Sequence, residues 1–378
     1  MSSPTVAKKS LTIQCINYYD IVTIQMLDEK DALILATARQ TTVLASTAAE
    51  RTGLSRVAVS RRIKKLADTG YLERHGSGTR QTYSPGANRF WLLQTDVATV
   101  AQSGGEFGAW ERHVAPLLQE LPGNVVNLAN IAFTEMVNNV LDHSQARHVR
   151  MAAHVFESHL QMLVADDGVG IFKRIAQALE LFDDRLALLE LAKGKFTTAP
   201  EAHSGMGIFV SSRMLDGFAI DSKELTFDLR MDAQKLAAFN WVDAPALSRA
   251  TGQGTAVRMD LALNTTRTTQ AVYKTYFSSD AVGGDAFHTT EIPVRLAQLS
   301  SQLTSRSQGK WVVERATQFK TVVLDFAGVT LVGQGFVDEV FRVFATAHPE
   351  VRLKPVNLRP EVAQALQMFA PHVRLVTH

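Results

Sequence analysis

The sequence predicts a multidomain α/β protein, and three observations carry that reading. At 378 residues the chain is long enough for two or three domains, each with its own core. Near the C-terminus short apolar runs alternate with helical patterns, the arrangement of a sheet with crossover helices. In the middle, a long amphipathic segment precedes apolar runs that end in glycine-rich turns, which places polar residues where strands give way to loops.

Composition bounds the class. With 46% hydrophobic and 20% charged residues this is an ordinary globular chain. Residues 1–90 hold 13 Lys and Arg against 7 Asp and Glu, so they carry +6 although the whole chain carries +2. Cys15 is the single cysteine, which excludes an internal disulfide and a cysteine-built metal cluster. No apolar run has membrane-spanning length, and residues 1–10 lack a signal-peptide core. A cytoplasmic location without a membrane partner is the expectation.

Taken in order, residues 11–26 show no clear periodicity, and 28–39 read as a helix through Ala32, Leu33, Leu35 and Ala36. Thr47-Ala48-Ala49-Glu50 has the form of a capping box opening a short helix that stops at Gly53. Ser55 then suits the N-cap of a second helix over 56–69, ended by Gly70. Val57, Val59, Ile63 and Leu66 are its packing residues. Between 51 and 65 stand Arg51, Arg56, Arg61, Arg62, Lys64 and Lys65 and no acid. Residues 71–83 read as a hairpin with a glycine-rich tip. Helix, glycine turn, helix and hairpin resemble a winged helix-turn-helix DNA-binding domain, over residues 1–90. The resemblance implies double-stranded DNA as partner. Ser55, Arg56, Ser60 and Arg61 would face bases or phosphates, Lys64 and Lys65 would reach phosphate, and Arg74 and Arg80 would lie in the wing. The same fold also serves protein contacts, with its basic face merely solvated.

Residues 84–105 hold Pro85, Gly86 and Ser103-Gly104-Gly105 and read as a connector, with the linker proper at 91–105. Residues 107–121 are helical with a break at Pro116, and His113 within them reads as structural. Next comes Thr134-Glu135-Met136-Val137-Asn138-Asn139-Val140-Leu141-Asp142-His143-Ser144. Phe133, Val137, Val140 and Leu141 form an apolar stripe there, while Glu135, Asn139 and Asp142 share the other side with His143 at its edge. A hairpin over 149–156 and 160–164 follows and ends in Asp166-Asp167-Gly168-Val169-Gly170. Residues 179–191 read as a helix, and Lys193-Gly194-Lys195 comes after it. Then come His203-Ser204-Gly205-Met206-Gly207, strands at 218–222 and 225–230, and Thr251-Gly252-Gln253-Gly254-Thr255 leading into a strand at 255–261. Residues 233–250 form an insertion without an assignable pattern.

Four boxes in this order resemble the GHKL type of ATP-binding domain, named for gyrase, the heat-shock chaperone, histidine kinases and the mismatch-repair ATPase. The resemblance covers residues 106–264 and implies an α/β sandwich, a mixed sheet with helices on one face. It implies ATP and Mg²⁺ as cofactors. Asp166 would accept from the adenine amino group, while Gly168 and Gly170 let the backbone approach base and ribose. Asn139 would hold Mg²⁺ through its amide oxygen, and Glu135 would deprotonate a water as general base. Gly205 and Gly207 would offer N–H groups to phosphate at a helix start. Thr255 would support Asp166, and Asp142 and His143 complete the ATP-binding set. The segment around Lys193 and Lys195 would be the ATP lid. No P-loop pattern occurs.

Residues 265–284 read as a connector. Beyond them a strand over 290–296, a helix entered from Ser305, strands through Leu324-Asp325-Phe326 and 329–332, a helix opened by Gly333-Gln334-Gly335-Phe336, a strand at 351–353 and a helix at 360–369 resemble a STAS-like α/β domain, over residues 285–378. It is the fold of anti-sigma-factor antagonists and implies a protein partner; a homodimer is compatible with the whole. In those antagonists a phosphorylated serine precedes the helix, whereas Gly333 stands there in this sequence. The expected function is an ATP-binding, ATP-hydrolysing regulator that binds DNA. The alternatives are a serine protein kinase resembling anti-sigma factors and an ATP sensor without turnover.

Overall fold

The computed structural model describes residues 27–41, 44–78, 81–193, 207–232, 235–240, 254–276, 292–296, 300–314, 316–371 and 373. The chain divides into two compact units, Met1–Leu92 and Leu93–His378.

In the first unit α1 (Glu29–Ala38), α2 (Leu44–Thr52) and α3 (Arg56–Asp68) pack together and are followed by the antiparallel pair β1 (Leu72–His75) and β2 (Thr82–Pro85). Asp28 and Asp31 form a reciprocal capping box at the start of α1. Ser55 caps α3 as expected, its Oγ accepting from the Ala58 N–H at 3.3 Å. Two local expectations fail. Thr47 does not open α2, because the helix already starts at Leu44 and buries Ala48 within its second turn. Val57 does not pack inward but is 64% exposed, whereas Val59, Ile63 and Leu66 are buried. Two residues along a helix turn it by about 200°, so Val57 cannot share the face of Val59.

The division between the units falls within β3 (Arg89–Asp96). Next come α4 (Val97–Gln102) and α5 (Gly105–Ala109), the latter continued by a π-type turn over Trp110–Val114 and a 3-10 turn over Ala115–Leu117. The stretch read as a connector therefore carries a strand and a helix, and the helical stretch after it changes pitch ahead of Pro116. The long helix α6 (Gly123–His143) is followed by β4 (His148–Phe156), β5 (His159–Asp166), α7 (Ile171–Ala178), α8 (Asp184–Lys193) and α9 (Gly207–Met214). The helix expected over 179–191 begins only at Asp184, because the chain first turns at Glu180, whose φ is +52°. Strands β6 (Gly217–Ser222), β7 (Leu225–Asp232), β8 (Lys235–Asn240) and β9 (Thr255–Ala262) complete a seven-stranded sheet in the order β3-β4-β5-β9-β6-β7-β8. The expected mixed sheet is antiparallel at all five strand pairs whose register is described. Part of the unassigned 233–250 stretch is the edge strand β8.

Strand parity places the site. Met162 pairs with Met259 and Met259 with Phe218, and Val164 pairs with Val257 and Val257 with Ile220. All six are buried. The intervening positions include Gln161, Arg258, Asp260 and Asp221. The first face is the apolar one, and α6 packs against β5 and β9. Asp166 belongs to that face by its period of two, so the strand ends by turning a carboxylate toward the helix layer.

After β9, α10 (Thr269–Tyr276) packs back on α6 and α9. The buried Arg267 before it donates to the Met214 carbonyl and to Asp216, both at 2.9 Å. The last part of the chain holds a parallel sheet ordered β10-β12-β14, made of β10 (Ile292–Arg295), β12 (Thr321–Asp325) and β14 (Arg352–Val356). A two-residue parallel ladder joins β11 (Gln302–Leu303) to β13 (Leu331–Val332). Around them lie α11 (Arg306–Val313), α12 (Gln334–Val337) with its π-type continuation Asp338–Phe344, α13 (Ala345–Ala347) and α14 (Pro360–Phe369). Ser305 caps α11 in a capping box with Gln308.

Candidate functional site

The phase of α6 is set by Leu128, Ala129, Ala132, Phe133, Met136, Val137 and Val140, all buried. Leu141, expected in that stripe, is half-buried. The helix therefore turns Glu135, Asn139 and His143 into half-buried positions and leaves Asp142 exposed in its last turn. Glu135 faces the start of α9. A Cβ on Gly207 would lie 2.2 Å from Glu135 Oε2, so a side chain there would drive the carboxylate away. Glycine keeps the carboxylate against a helix start, where unpaired N–H groups and the helix dipole favour negative charge. The Asn139 amide nitrogen donates to Met136 Sδ at 3.9 Å, so the amide oxygen is the atom that could hold a cation.

The loop after β5 is folded tightly around Asp166. Its Oδ1 accepts from the Gly168 N–H at 2.8 Å, and the Thr255 backbone N–H also donates to the carboxyl. Burial pushes the carboxyl up to about 6, against these two donors, and the neighbouring Asp167 charge adds to the rise. A Cβ on Gly168 would meet the Ser144 carbonyl oxygen at 2.1 Å. That glycine is thus required for the loop to lie against the end of α6, where the Val169 N–H donates to the Ser144 carbonyl at 3.0 Å. Gly170 has φ +87° and starts α7, and the Thr255 hydroxyl accepts from the Ile171 N–H at 3.0 Å.

Three residues of this region were not identified from sequence. Gly254 lies under Asp166: a Cβ there would be 1.8 Å from the Asp166 carbonyl oxygen. Its signal was the second glycine of the Gly252-Gln253-Gly254-Thr255 box. Asp167, adjacent to the site aspartate, serves the scaffold instead. It accepts from the N–H groups of Arg147 and His148 at 2.9 and 2.8 Å and from the His148 ring at 2.7 Å. Against the opposing effect of burial, those donors hold its carboxyl below the usual range. Tyr273 on α10 has its phenol raised by burial and by the charge of Glu135, a neighbour that only tertiary folding could supply. Gly205 and Lys195 lie outside the described residues, as does the side chain of Lys193. No three His, Cys, Asp or Glu side chains converge on a metal position among the described residues.

In the first unit Ser55, Arg56, Ser60, Arg61, Lys64 and Lys65 all stand on the exposed side of α3. Arg62 of the same basic run does not belong with them. Its guanidinium bridges Asp28 at 2.8 Å and Asp31 at 2.7 Å, which joins α3 to the cap of α1. Arg74 in β1 is exposed and lies 3.7 Å from Asp68. Arg80 lies outside the described residues. No helix among the described residues is long and apolar enough to cross a membrane.

Family models match the chain in three places. A model of the MarR family matches residues 32–81, one of the histidine kinase-like ATPase domain matches 96–232, and one of a STAS-like domain of unknown function matches 308–363. No curated protein matches the chain. The chain carries a winged helix-turn-helix domain, a histidine kinase-like ATPase domain and a STAS-like domain, in the order expected from sequence. The combination is that of a regulator with an ATPase- or kinase-like module. The ATPase match ends before β9, although that strand lies between β5 and β6 in the sheet and its first residue, Thr255, bonds to Asp166.

Proposed function

We propose that the protein is a DNA-binding regulator whose middle domain binds and hydrolyses ATP with Mg²⁺. The observation that carries this reading is a buried carboxylate, Asp166, cradled by glycines that admit no side chain. The cradle fits an adenine base: Asp166 is an acceptor for the exocyclic amino group, which guanine lacks at that position. Gly168, Gly170 and Gly254 let the backbone come close beneath it, and the Thr255 N–H holds the carboxylate in place.

The phosphate end falls to α6 and α9. The Asn139 amide oxygen is a hard donor suited to Mg²⁺, an ion that takes few protein ligands and completes its shell with phosphate oxygens and water. When bound, the ion neutralises charge on the phosphates. Glu135 accepts the proton of the attacking water, a role worth on the order of 10²–10⁴ in rate. N–H groups at the start of α9, with Gly205 and Gly207, stabilise the developing phosphate charge. Asp142 and His143 rim the site at the end of α6. We place the core of this domain at 106–264, the winged domain at 1–90 and the STAS-like domain at 285–378, the last as the site of a protein partner.

Hydrolysis is preferred over phosphotransfer to the STAS-like domain because Gly333, which precedes the helix, carries no hydroxyl of its own. The Thr304 backbone crowds it, with Thr304 Cα 3.0 Å from where a Gly333 Cβ would lie, so a serine is not accommodated without a shift. Incubating the purified chain with radiolabelled ATP tests the reading. Mg²⁺-dependent phosphate release without label on residues 285–378 is expected. Absence of both ATP binding and phosphate release overturns it.

A further inference from the structure

Helix α8 is buried on more sides than its own domain can cover. Leu186, Ala187, Leu188, Leu189, Glu190 and Leu191 are all buried, six consecutive positions that span more than a full turn. A helix on the outside of a layered domain shows one apolar stripe, not an apolar circumference. α8 packs against α7 of the ATPase domain and also against β10 of the STAS-like sheet. Just ahead of α8, Phe182 stacks on Trp311 of α11 with ring centroids 4.8 Å apart and planes inclined by 44°. With this contact in place Phe182 remains 70% exposed, so its ring bridges the two elements at the surface.

The other end of this assembly is the base cradle. α7 begins at Gly170, the last glycine of the loop that follows Asp166, and its first N–H is held by Thr255. The glycine loop, α7, α8 and the STAS-like sheet therefore form one continuous series of packed elements. A shift of the loop on nucleotide binding has to be absorbed along this series, because packed interfaces have discrete arrangements rather than a continuous range.

We propose that the STAS-like domain grips the ATPase domain through α8 and the Phe182–Trp311 pair, and that this grip sets how long a nucleotide stays bound. The inference rests on the nucleotide reading above and names a regulator of that same site. A partner that takes hold of the STAS-like domain thereby acts on nucleotide exchange at a distance. By linkage the effect is reciprocal: nucleotide binding alters the grip by the factor by which the grip alters nucleotide affinity.

The test uses the full chain, its Phe182→Ala variant and its Trp311→Phe variant. Phe182 is exposed and Trp311→Phe keeps an aromatic ring, so both leave the cores intact. ATP·Mg²⁺ binding is measured by calorimetry, and release of a fluorescent ATP analogue by stopped-flow displacement. Of the four tryptophans, Trp311 is isolated by subtracting the emission of Trp311→Phe. ATP·Mg²⁺ is expected to change Trp311 emission, and Phe182→Ala to release the analogue at least about fivefold faster, the lower end of ordinary coupling between sites. Unchanged release from a Phe182→Ala variant that binds ATP overturns the inference and leaves the nucleotide reading standing. Failure of the unaltered chain to bind ATP overturns both.

Discussion

α3 and α6 are both helices with one apolar and one polar side, and they put the polar side to opposite uses. In α3 the outward residues Arg56, Ser60, Arg61, Lys64 and Lys65 all stand in solvent, on a face no other described element of the first unit covers. In α6 the corresponding residues Glu135 and Asn139 are half-buried, and Glu135 is pressed toward the start of α9. Under the proposed function the first face meets a large partner from outside, and its members are expected to act additively. The second lies within the proposed nucleotide site, so single substitutions there are expected to cost most.

The largest expected effect therefore belongs to α6. Glu135→Ala is expected to keep ATP affinity within a few-fold and to lower kcat by on the order of 10²–10⁴. Calorimetry paired with a phosphate-release assay separates the two. A full hydrolysis rate would remove Glu135 as the base and make α6 a binding face only, closer in kind to α3.

Asp166→Asn comes next. Loss of a charged hydrogen bond worth about 1.5–3 kcal/mol predicts a fall in ATP affinity of roughly 10- to 150-fold. The same change is expected to stabilise the nucleotide-free protein. Burial raises the Asp166 carboxyl from 3.8 to about 6. Between those values the folded state holds the proton longer than the unfolded chain, so stability falls as pH rises through about 6. Above that pH the buried charge costs on the order of 2–3 kcal/mol. Thermal unfolding should show Asp166→Asn melting higher than the unaltered protein at pH 8, with the gap closing toward pH 4. Equal melting temperatures at pH 8 would mean that the carboxylate is not desolvated.

What could be read from sequence in these two helices was whatever follows from a local period. Ser55 as cap, Val59, Ile63 and Leu66 facing inward, and Asp166 at the end of a strand all needed only near neighbours. Val57 was misplaced although its own spacing from Val59 argued against burial. Thr47 looked like a cap because the pattern is local, while the start of α2 is decided by packing. Glycine 254, the paired role of Asp167 and the approach of Tyr273 to Glu135 depend on strands and helices far apart in sequence. So does the division of labour in the basic run, where Arg62 reaches 34 residues back to Asp28.

Arg62→Ala removes the cationic partner of the buried Asp31, which keeps only the Asp28 N–H of its capping box, and is expected to cost about 2 kcal/mol of stability in the first unit. It should leave the salt dependence of DNA binding unchanged in the protein that remains folded. Chemical denaturation of residues 1–92, followed by helix signal, measures the first, and anisotropy over a salt series on the full chain the second. A lost phosphate contact without destabilisation would return Arg62 to the DNA face.

The smallest effects per residue belong to Lys64 and Lys65. If each neutralises a phosphate, replacing both by Ala releases about two fewer counterions and flattens the log–log salt slope by up to about two units. A winged module touching four to six phosphates starts from a slope of roughly −4 to −5 per protomer, so the change is measurable. It should weaken all sequences alike, because phosphate contacts carry no sequence information. Arg61→Ala is the control that sharpens the comparison. Ser60 and Arg61 stand one turn beyond Val57 on the exposed side of α3, and the proposal assigns the Arg61 guanidinium to a base edge. Its loss should cost about 1–3 kcal/mol on a selected site and little on random DNA. Equal losses on both would make Arg61 another phosphate contact. Undetectable or salt-independent binding by the full chain would turn the whole face of α3 into a surface for protein.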